Sequence, residues 1–261
     1  MENIKVEVNN VSKSFSKSDD GKPLPVVENV NFKVSDGEFL CIVGSSGCGK
    51  TTILRIIAGL QQADVGEVLL DGKKVESTSS KKGMVFQEFA LFPWRTVQKN
   101  VEFGLEYKGL SPEEREKISK KFISMVGLSG YENTYPHQLS GGMKQRVAIA
   151  RALANDPDVL LMDEPFGALD AQTRNILQDE LLRIWNETKK TIIFITHNVD
   201  EAVYLGDRVL VLTKRPAKIK KEFKVALART RNRTSIEFVT LRKKILDTIM
   251  EEISTLSPPS T

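Results

Sequence analysis

Short, almost wholly apolar runs alternate along this chain with longer stretches in which apolar positions recur every three or four residues. Phe39–Val43, Gly83–Phe86, Val159–Met162, Thr191–Ile195 and Val209–Leu212 are of the first kind, the composition of strands covered on both faces. They predict an α/β fold with a mainly parallel central sheet. The first ~35 residues and Val65–Val75 instead show shorter alternating segments, with Asp71-Gly72 marking a tight hairpin, and predict a small antiparallel layer. Between Phe86 and Val159 the period becomes helical. Ser111-Pro112-Glu113-Glu114 reads as a capping box with proline at the first helical position, after which Ile118, Phe122, Met125 and Val126 share one face. This block predicts an inserted helical subdomain. Leu177, Leu181, Ile184 and Trp185 mark another amphipathic helix, and a last helix is expected from about Ser235 to Ile253, followed by a polar tail, Ser257–Thr261, expected to fray.

With 261 residues and 40% apolar content the chain can bury a sizeable core. An excess of four basic residues, 38 against 34, is too small to argue for nucleic acid as a partner. Its two cysteines, Cys41 and Cys48, sit in a strand and a glycine loop, where a disulfide framework has no place, so a reducing cytosol is expected. The charged start, Met1–Lys5, lacks the apolar region of a secretory signal. No apolar run reaches the ~20 residues of a membrane helix.

Gly44, Ser45, Ser46, Gly47, Cys48, Gly49, Lys50 and Thr51 fit G-x-x-x-x-G-K-[ST], directly after a predicted strand and directly before a helical stretch that begins at Thr52. Glycines let the backbone curl so that its N–H groups converge on phosphate oxygens, and the helix adds the positive end of its dipole. Lys50 is placed on the β and γ phosphates, the Thr51 hydroxyl on Mg²⁺, and Thr52 among the nucleotide contacts. Downstream, Val159–Met162 runs into Asp163 and Glu164 at the carboxyl edge of the sheet. Asp163 is expected to hold magnesium through water, and Glu164 to orient or deprotonate the attacking water. Asp170, after the turn Pro165–Leu169, is both a helix N-cap and a nucleotide-site candidate.

Leu139-Ser140-Gly141-Gly142-Met143-Lys144-Gln145-Arg146, lying ahead of the acidic strand, resembles the signature of ABC-type ATPases. That resemblance, which runs from about Val11 to Leu212, implies a P-loop ATPase of ABC type that binds and hydrolyses ATP with Mg²⁺. It implies that Ser140, Gly141 and Gly142 act on ATP bound by a second copy in a head-to-tail dimer. It further places Phe15 on the adenine, Gln87 on Mg²⁺ and γ-phosphate, and His197 on γ-phosphate, with Glu164, His197, Lys50 and Gln87 as the catalytic set. Phenylalanine at 15 where tyrosine is common and methionine at 143 where glutamine is common are mild departures. His137 has no assigned role.

Within the family, Gln87–Val97 and Met162–Asp170 look like the importer subunits for nitrate, sulfonate, taurine or bicarbonate. The resemblance implies permease subunits as partners, a solute-binding protein indirectly, and a peripheral place on the cytoplasmic face of the membrane. Phe92, Pro93 and Trp94 either grip the permease or bury in the helical subdomain. Arg215-Pro216-Ala217-Lys218-Ile219 is similar to the subgroup's Arg-Pro-Gly-Arg-Ile, with alanine replacing glycine. The expected organisation is a single ABC ATPase domain: a nucleotide-binding core over about 1–90 and 157–225, the helical subdomain over about 91–156, and a helical extension over about 226–261. Two other readings stand beside the importer. One is a soluble ABC ATPase, against which the lack of a coiled-coil insertion, metal-ligand cysteines or a second cassette argues; the other is a nucleotide-gated binding module, against which Glu164 argues.

Overall fold

The computed structural model describes residues 3–16 and 23–254, so the expected frayed tail lies outside the described residues. The chain divides into two compact units, Met1–Ser79 with Thr191–Thr261, and Ser80–Lys190.

In the first unit, β1 (Ile4–Ser16) and β2 (Pro23–Ser35) form an antiparallel pair, and β4 (Val65–Leu70) pairs with the other edge of β1. Both long strands are broken by register shifts, and Asn10 and Asn29 take left-handed backbone there (φ 53° and 48°). Those bulges are why the sequence reads as shorter alternating segments. Asp71 and Gly72, both with positive φ, turn β4 into the two-residue strand β5 (Lys73–Lys74), as the hairpin signal predicts.

A second sheet of the same unit is the parallel one. β3 (Phe39–Val43) lies between β8 (Thr191–Thr196) and β9 (Arg208–Leu212), parallel to both. Every residue of β3 and β8 is buried. Beyond β9 the chain adds β10 (Ile219–Lys224), antiparallel to β9, which the sequence pattern does not announce. Its composition, Ile-Lys-Lys-Glu-Phe-Lys, is that of a charged edge strand rather than a buried one. Helices α1 (Lys50–Ala58) and α6 (Val199–Leu205) cover the sheet, and α7 (Ile236–Ser254) packs on α6 and β9 through buried Phe238 and Ile245.

In the second unit, β6 (Lys82–Val85) and β7 (Val159–Asp163) run parallel. Helices α2 (Val97–Tyr107), α3 (Pro112–Met125) and α4 (Gly141–Ala154) pack on one another, and α5 (Ala171–Thr188) packs against α4. The capping box at Ser111 and Glu114 is present. The buried face of α3 differs from expectation by one position. Ser119, Ile123 and Val126 are buried, whereas Ile118, Phe122 and Met125 are half-buried at its flank. Ser119 Oγ donates to the buried carboxylate of Glu102 on α2 (3.2 Å), a polar contact that rotates the helix away from its apolar stripe. The fold is thus α/β with a parallel sheet, an antiparallel layer and a helical subdomain.

Candidate functional site

The phosphate loop joins β3 to α1 within the first unit. Gly49 stands at the N-cap of α1 with φ 125°, and no side chain caps the helix. A Cβ on Gly49 would lie 2.8 Å from the Val26 carbonyl oxygen and 3.2 Å from Ala217 Cβ, so only glycine fits. Lys50 is 4% exposed and curls back to donate to the carbonyls of Gly44 (3.0 Å) and Ser45 (3.1 Å). The result is a cationic loop whose helix N-terminus carries uncapped N–H groups, the arrangement that takes an anion. Burial pushes the Cys48 thiol up, so at neutral pH it is an uncharged packing group. Thr51 and Thr52 are half-buried in the first turn of α1.

Two more predicted residues belong to this unit. Val43 and Thr196 are register partners in β3 and β8, so Gly44 and His197, which follow them, leave the same sheet edge side by side. His197 is exposed. Beneath it Thr196 Oγ1 donates to Glu201 (2.5 Å) and accepts from Asn198 N–H (3.0 Å), fixing the turn into α6. Phe15 lies on β1, 41% exposed, with the Lys13 ammonium 5.9 Å from its ring centroid.

The second unit carries the rest. Asp163 ends β7 and is 5% exposed; Glu164 follows, half-buried, with φ 43°. A left-handed non-glycine residue stores strain, here at the predicted general base. Its carbonyl accepts from Gly167 N–H (3.1 Å), tightening the turn. Asp170 is the N-cap of α5, Oδ1 accepting from Thr173 N–H (2.9 Å), and that bond holds its carboxyl below the usual range.

Ser140 caps α4, its Oγ accepting from Met143 N–H (3.3 Å). Gly141 is exposed, and a Cβ there would lie 3.2 Å from Leu169 and 3.9 Å from the Phe89 ring. The signature, the segment after Gln87 and the turn before Asp170 are therefore neighbours. Gly142 is buried, and a Cβ would meet Thr173 Cγ2 at 2.8 Å. Gln87 is exposed at the end of β6.

After Gln87, Pro93 is exposed and Trp94 is 72% exposed, but Phe92 is only half-buried by its neighbours. Its ring packs on Phe103 (4.4 Å between centroids) and Trp94 (5.7 Å), under the guanidinium groups of Arg95 and Arg151. The three divide between the two alternatives: Pro93 and Trp94 stay exposed, and an aromatic ladder on α2 half-covers Phe92. Arg151 also donates to the carbonyls of Ala90 (2.6 Å) and Phe89 (3.1 Å), and burial lowers its pKa. Sequence gives no sign of that clamp, which joins residues sixty positions apart. A groove of about 440 Å³ is lined by Glu88 to Leu91, Pro93, Pro136, His137 and Lys144. His137, without an assigned role in the sequence, stacks on Tyr135 and faces this groove.

The chemistry of each unit suits ATP with magnesium. In the first, glycine at 49 and a buried lysine suit phosphates and the Thr51 hydroxyl is a hard oxygen donor; in the second, the Gln87 amide oxygen and the Asp163 carboxylate are donors of the same kind.

A sequence model of the ABC transporter family matches residues 27–167. The chain is 59% identical over 250 residues to an uncharacterized ABC transporter ATP-binding protein of Methanocaldococcus jannaschii, covering 96% of this chain and 93% of that one. It is 47% identical over 241 residues to the aliphatic sulfonates import ATP-binding protein SsuB of Bacillus cereus, covering 92% and 94%. Among solved structures, a dimeric ATP-binding cassette in a post-hydrolysis state bound to ADP and Pi is similar with TM-score 0.75 and 36% identity, covering 85% of this chain and all of that one. CbiO1 of Clostridium perfringens, part of the ABC transporter complex CbiONQ, is similar with TM-score 0.77 and 25% identity, covering 98% of each chain.

Proposed function

The chain belongs to the ABC transporter ATP-binding family, and from that premise we propose that it powers an importer for a small anion of the nitrate, sulfonate, taurine or bicarbonate kind. It is an ATPase. The observation that carries the reading is the phosphate loop itself, with glycine obligatory at 49 and Lys50 buried against the loop's own carbonyls. Burying a lysine ammonium against backbone carbonyls costs stability unless the charge serves a ligand.

The roles follow from the side chains. The loop Gly44–Thr51 and Lys50 bind the phosphates, with Thr52 beside them, and Phe15 offers its exposed ring to the adenine. Thr51, Gln87 and, through water, Asp163 would hold Mg²⁺, which would neutralise charge on the phosphate oxygens. Glu164 accepts a proton from the attacking water as the new bond to γ-phosphorus forms and the bond to the ADP oxygen breaks. His197 contacts the γ-phosphate from the sheet edge. Ser140, Gly141 and Gly142 complete the site of a second copy, with Asp170 at the adjoining turn, so hydrolysis requires a head-to-tail dimer.

Permease subunits are the membrane-spanning partners, as the family's name as a transporter family supports. The groove beside Phe89, with Pro93 and Trp94 exposed, is the surface offered to a permease helix. A solute-binding protein acts through the permease, nucleic acid has no part, and the chain works from the cytoplasmic face. The name of the sulfonate-importing relative supports the anion class.

Mg²⁺-dependent hydrolysis measured against protein concentration tests the dimer. Specific activity is expected to rise with concentration as dimer forms. A rate per chain that stays constant down to concentrations where only monomer exists contradicts it. Co-purification with a hydrophobic permease supports transport, and co-purification with nucleic acid opposes it.

A further inference from the structure

The segment after β9, Arg215–Ile219, marks the importer subgroup in sequence without any chemistry attached to it. In the structure its first half forms a strap beside the phosphate loop, all within the first unit. Thr213 closes the strap on itself: its Oγ1 donates to the Pro216 carbonyl (3.0 Å) and accepts from Lys218 N–H (2.9 Å), while its own N–H reaches the Lys218 carbonyl (3.0 Å). Ala217, fully buried, is sewn to β2. Its N–H donates to Val26 (2.8 Å), and its carbonyl accepts from Glu28 N–H (3.0 Å). The Val26 oxygen and Ala217 Cβ are the two atoms that leave Gly49 no room for a side chain. Strap and loop are therefore held in one fixed relation.

From this strap the Arg215 guanidinium donates to the Gly47 carbonyl at 2.8 Å. Gly47 lies in the bend of the loop with φ 74°. In a planar trans peptide the carbonyl and the following N–H point opposite ways. Holding the Gly47 oxygen outward therefore turns the Cys48 N–H into the loop. There it meets the Ser45 carbonyl at 3.3 Å, a long bond that a phosphate oxygen can replace.

We propose that Arg215 is a positioning residue for the nucleotide's phosphates, fixing the Gly47–Cys48 peptide so that the loop meets ATP already shaped, and adding a second cation beside Lys50. The inference rests on reading this loop as the ATP site. It assigns the charged residue of the strap a role that the phosphate-loop motif does not contain. Pre-shaping lowers the ordering cost of binding and leaves the chemical step to other residues, so its loss falls on affinity more than on turnover.

Equilibrium titration of the full chain with Mg·ATP tests it, comparing wild type, Arg215→Ala, Arg215→Lys and Lys50→Ala, with melting curves taken without nucleotide. Arg215→Ala is expected to weaken binding about tenfold and raise KM in step, while kcat falls less than about twofold. Lysine can still donate to the carbonyl, so Arg215→Lys is expected to recover most of the loss. Affinity in Arg215→Ala within about twofold of wild type overturns the proposal, since one charge-assisted bond is worth more. A nucleotide-free Tm lowered by more than about 5 °C, with affinity not recovered in Arg215→Lys, makes Arg215 a strut of the fold and overturns it too. Wild type that fails to bind Mg·ATP sinks the site reading, and this inference with it; wild type that binds, with Lys50→Ala blind to ATP and Arg215→Ala unaffected, sinks this inference alone.

Discussion

The phosphate loop and the signature segment are written in the same letters, serine and glycine ahead of a helix, yet the structure builds them in opposite ways. At the start of α1 no side chain caps the helix, Gly49 adopts a conformation closed to other residues, and a buried lysine leans on the loop's carbonyls. At the start of α4 the Ser140 hydroxyl already occupies the Met143 N–H, Gly141 is exposed, and Gly142 is pressed against a neighbouring side chain. The first is an anion cradle built entirely from its own residues. The second has one of its helix N–H groups taken by its own cap and no buried lysine leaning on its carbonyls, so it is the weaker anion site of the two. Glycine content alone does not separate the two roles; the cap and the neighbours of each glycine do.

The sharpest break in the comparison is Lys50→Ala. It removes the cradle's buried cation and is expected to lower turnover by about 10³-fold or more, with ATP binding lost in the same titration. Glu164→Gln follows, expected to cost about 10²–10³-fold in turnover while ATP is retained and a dimer accumulates on size-exclusion chromatography. Undiminished hydrolysis would remove Glu164 from the role of base.

The glycines sharpen the contrast further. In Gly142→Ala the new methyl meets Thr173 Cγ2, an overpacking of about 1–3 kcal/mol that should reduce turnover about tenfold and leave ATP binding intact. Adding Thr173→Ser deletes that methyl and is expected to restore activity. Gly49→Ala has no such rescue, because backbone at Val26 and a φ of 125° both oppose it. Ser140→Ala, which loses only a cap, should cost about 1 kcal/mol of stability by denaturant unfolding.

Smallest is the acid response of α5. Accepting from Thr173 N–H lowers the folded-state pKa of Asp170, so its cap contributes stability above the unfolded aspartate value and loses it as pH falls through the lower, folded one. Asp170→Asn keeps the cap without the charge, and its melting temperature should lose the Asp170 share of that acid dependence.

How much of this could be read from sequence follows the distance over which each feature is decided. Gly44–Thr51, the β7 strand into Asp163 and Glu164, and the Ser111 capping box are local, and each appears where its pattern places it. The buried face of α3 departs from its apolar stripe where Ser119 bonds to Glu102, a partner on another helix. β10 was missed because an edge strand with four charged residues of six has no apolar signature. Phe92 stays undecided between exposed and buried in the sequence because the ring that half-covers it, Phe103, comes from the middle of the following helix. Arg151 on the Phe89 and Ala90 carbonyls, and Arg215 on Gly47, each act across sixty residues or more, where no periodicity reaches.

Whether the signature acts on a partner's ATP is measured directly by mixing two inactive variants. Lys50→Ala spoils the cradle, and Ser140→Arg blocks the signature. In a head-to-tail dimer a mixed pair places both defects at one site and leaves the other whole. An equimolar mixture is therefore expected to hydrolyse ATP at about a quarter of the wild-type rate, from random pairing with one intact site per mixed dimer. A mixture as inactive as its two components, with mixed dimers demonstrated by differential tags, would show that cradle and signature of one chain serve the same ATP, and would contradict the division of labour drawn between them.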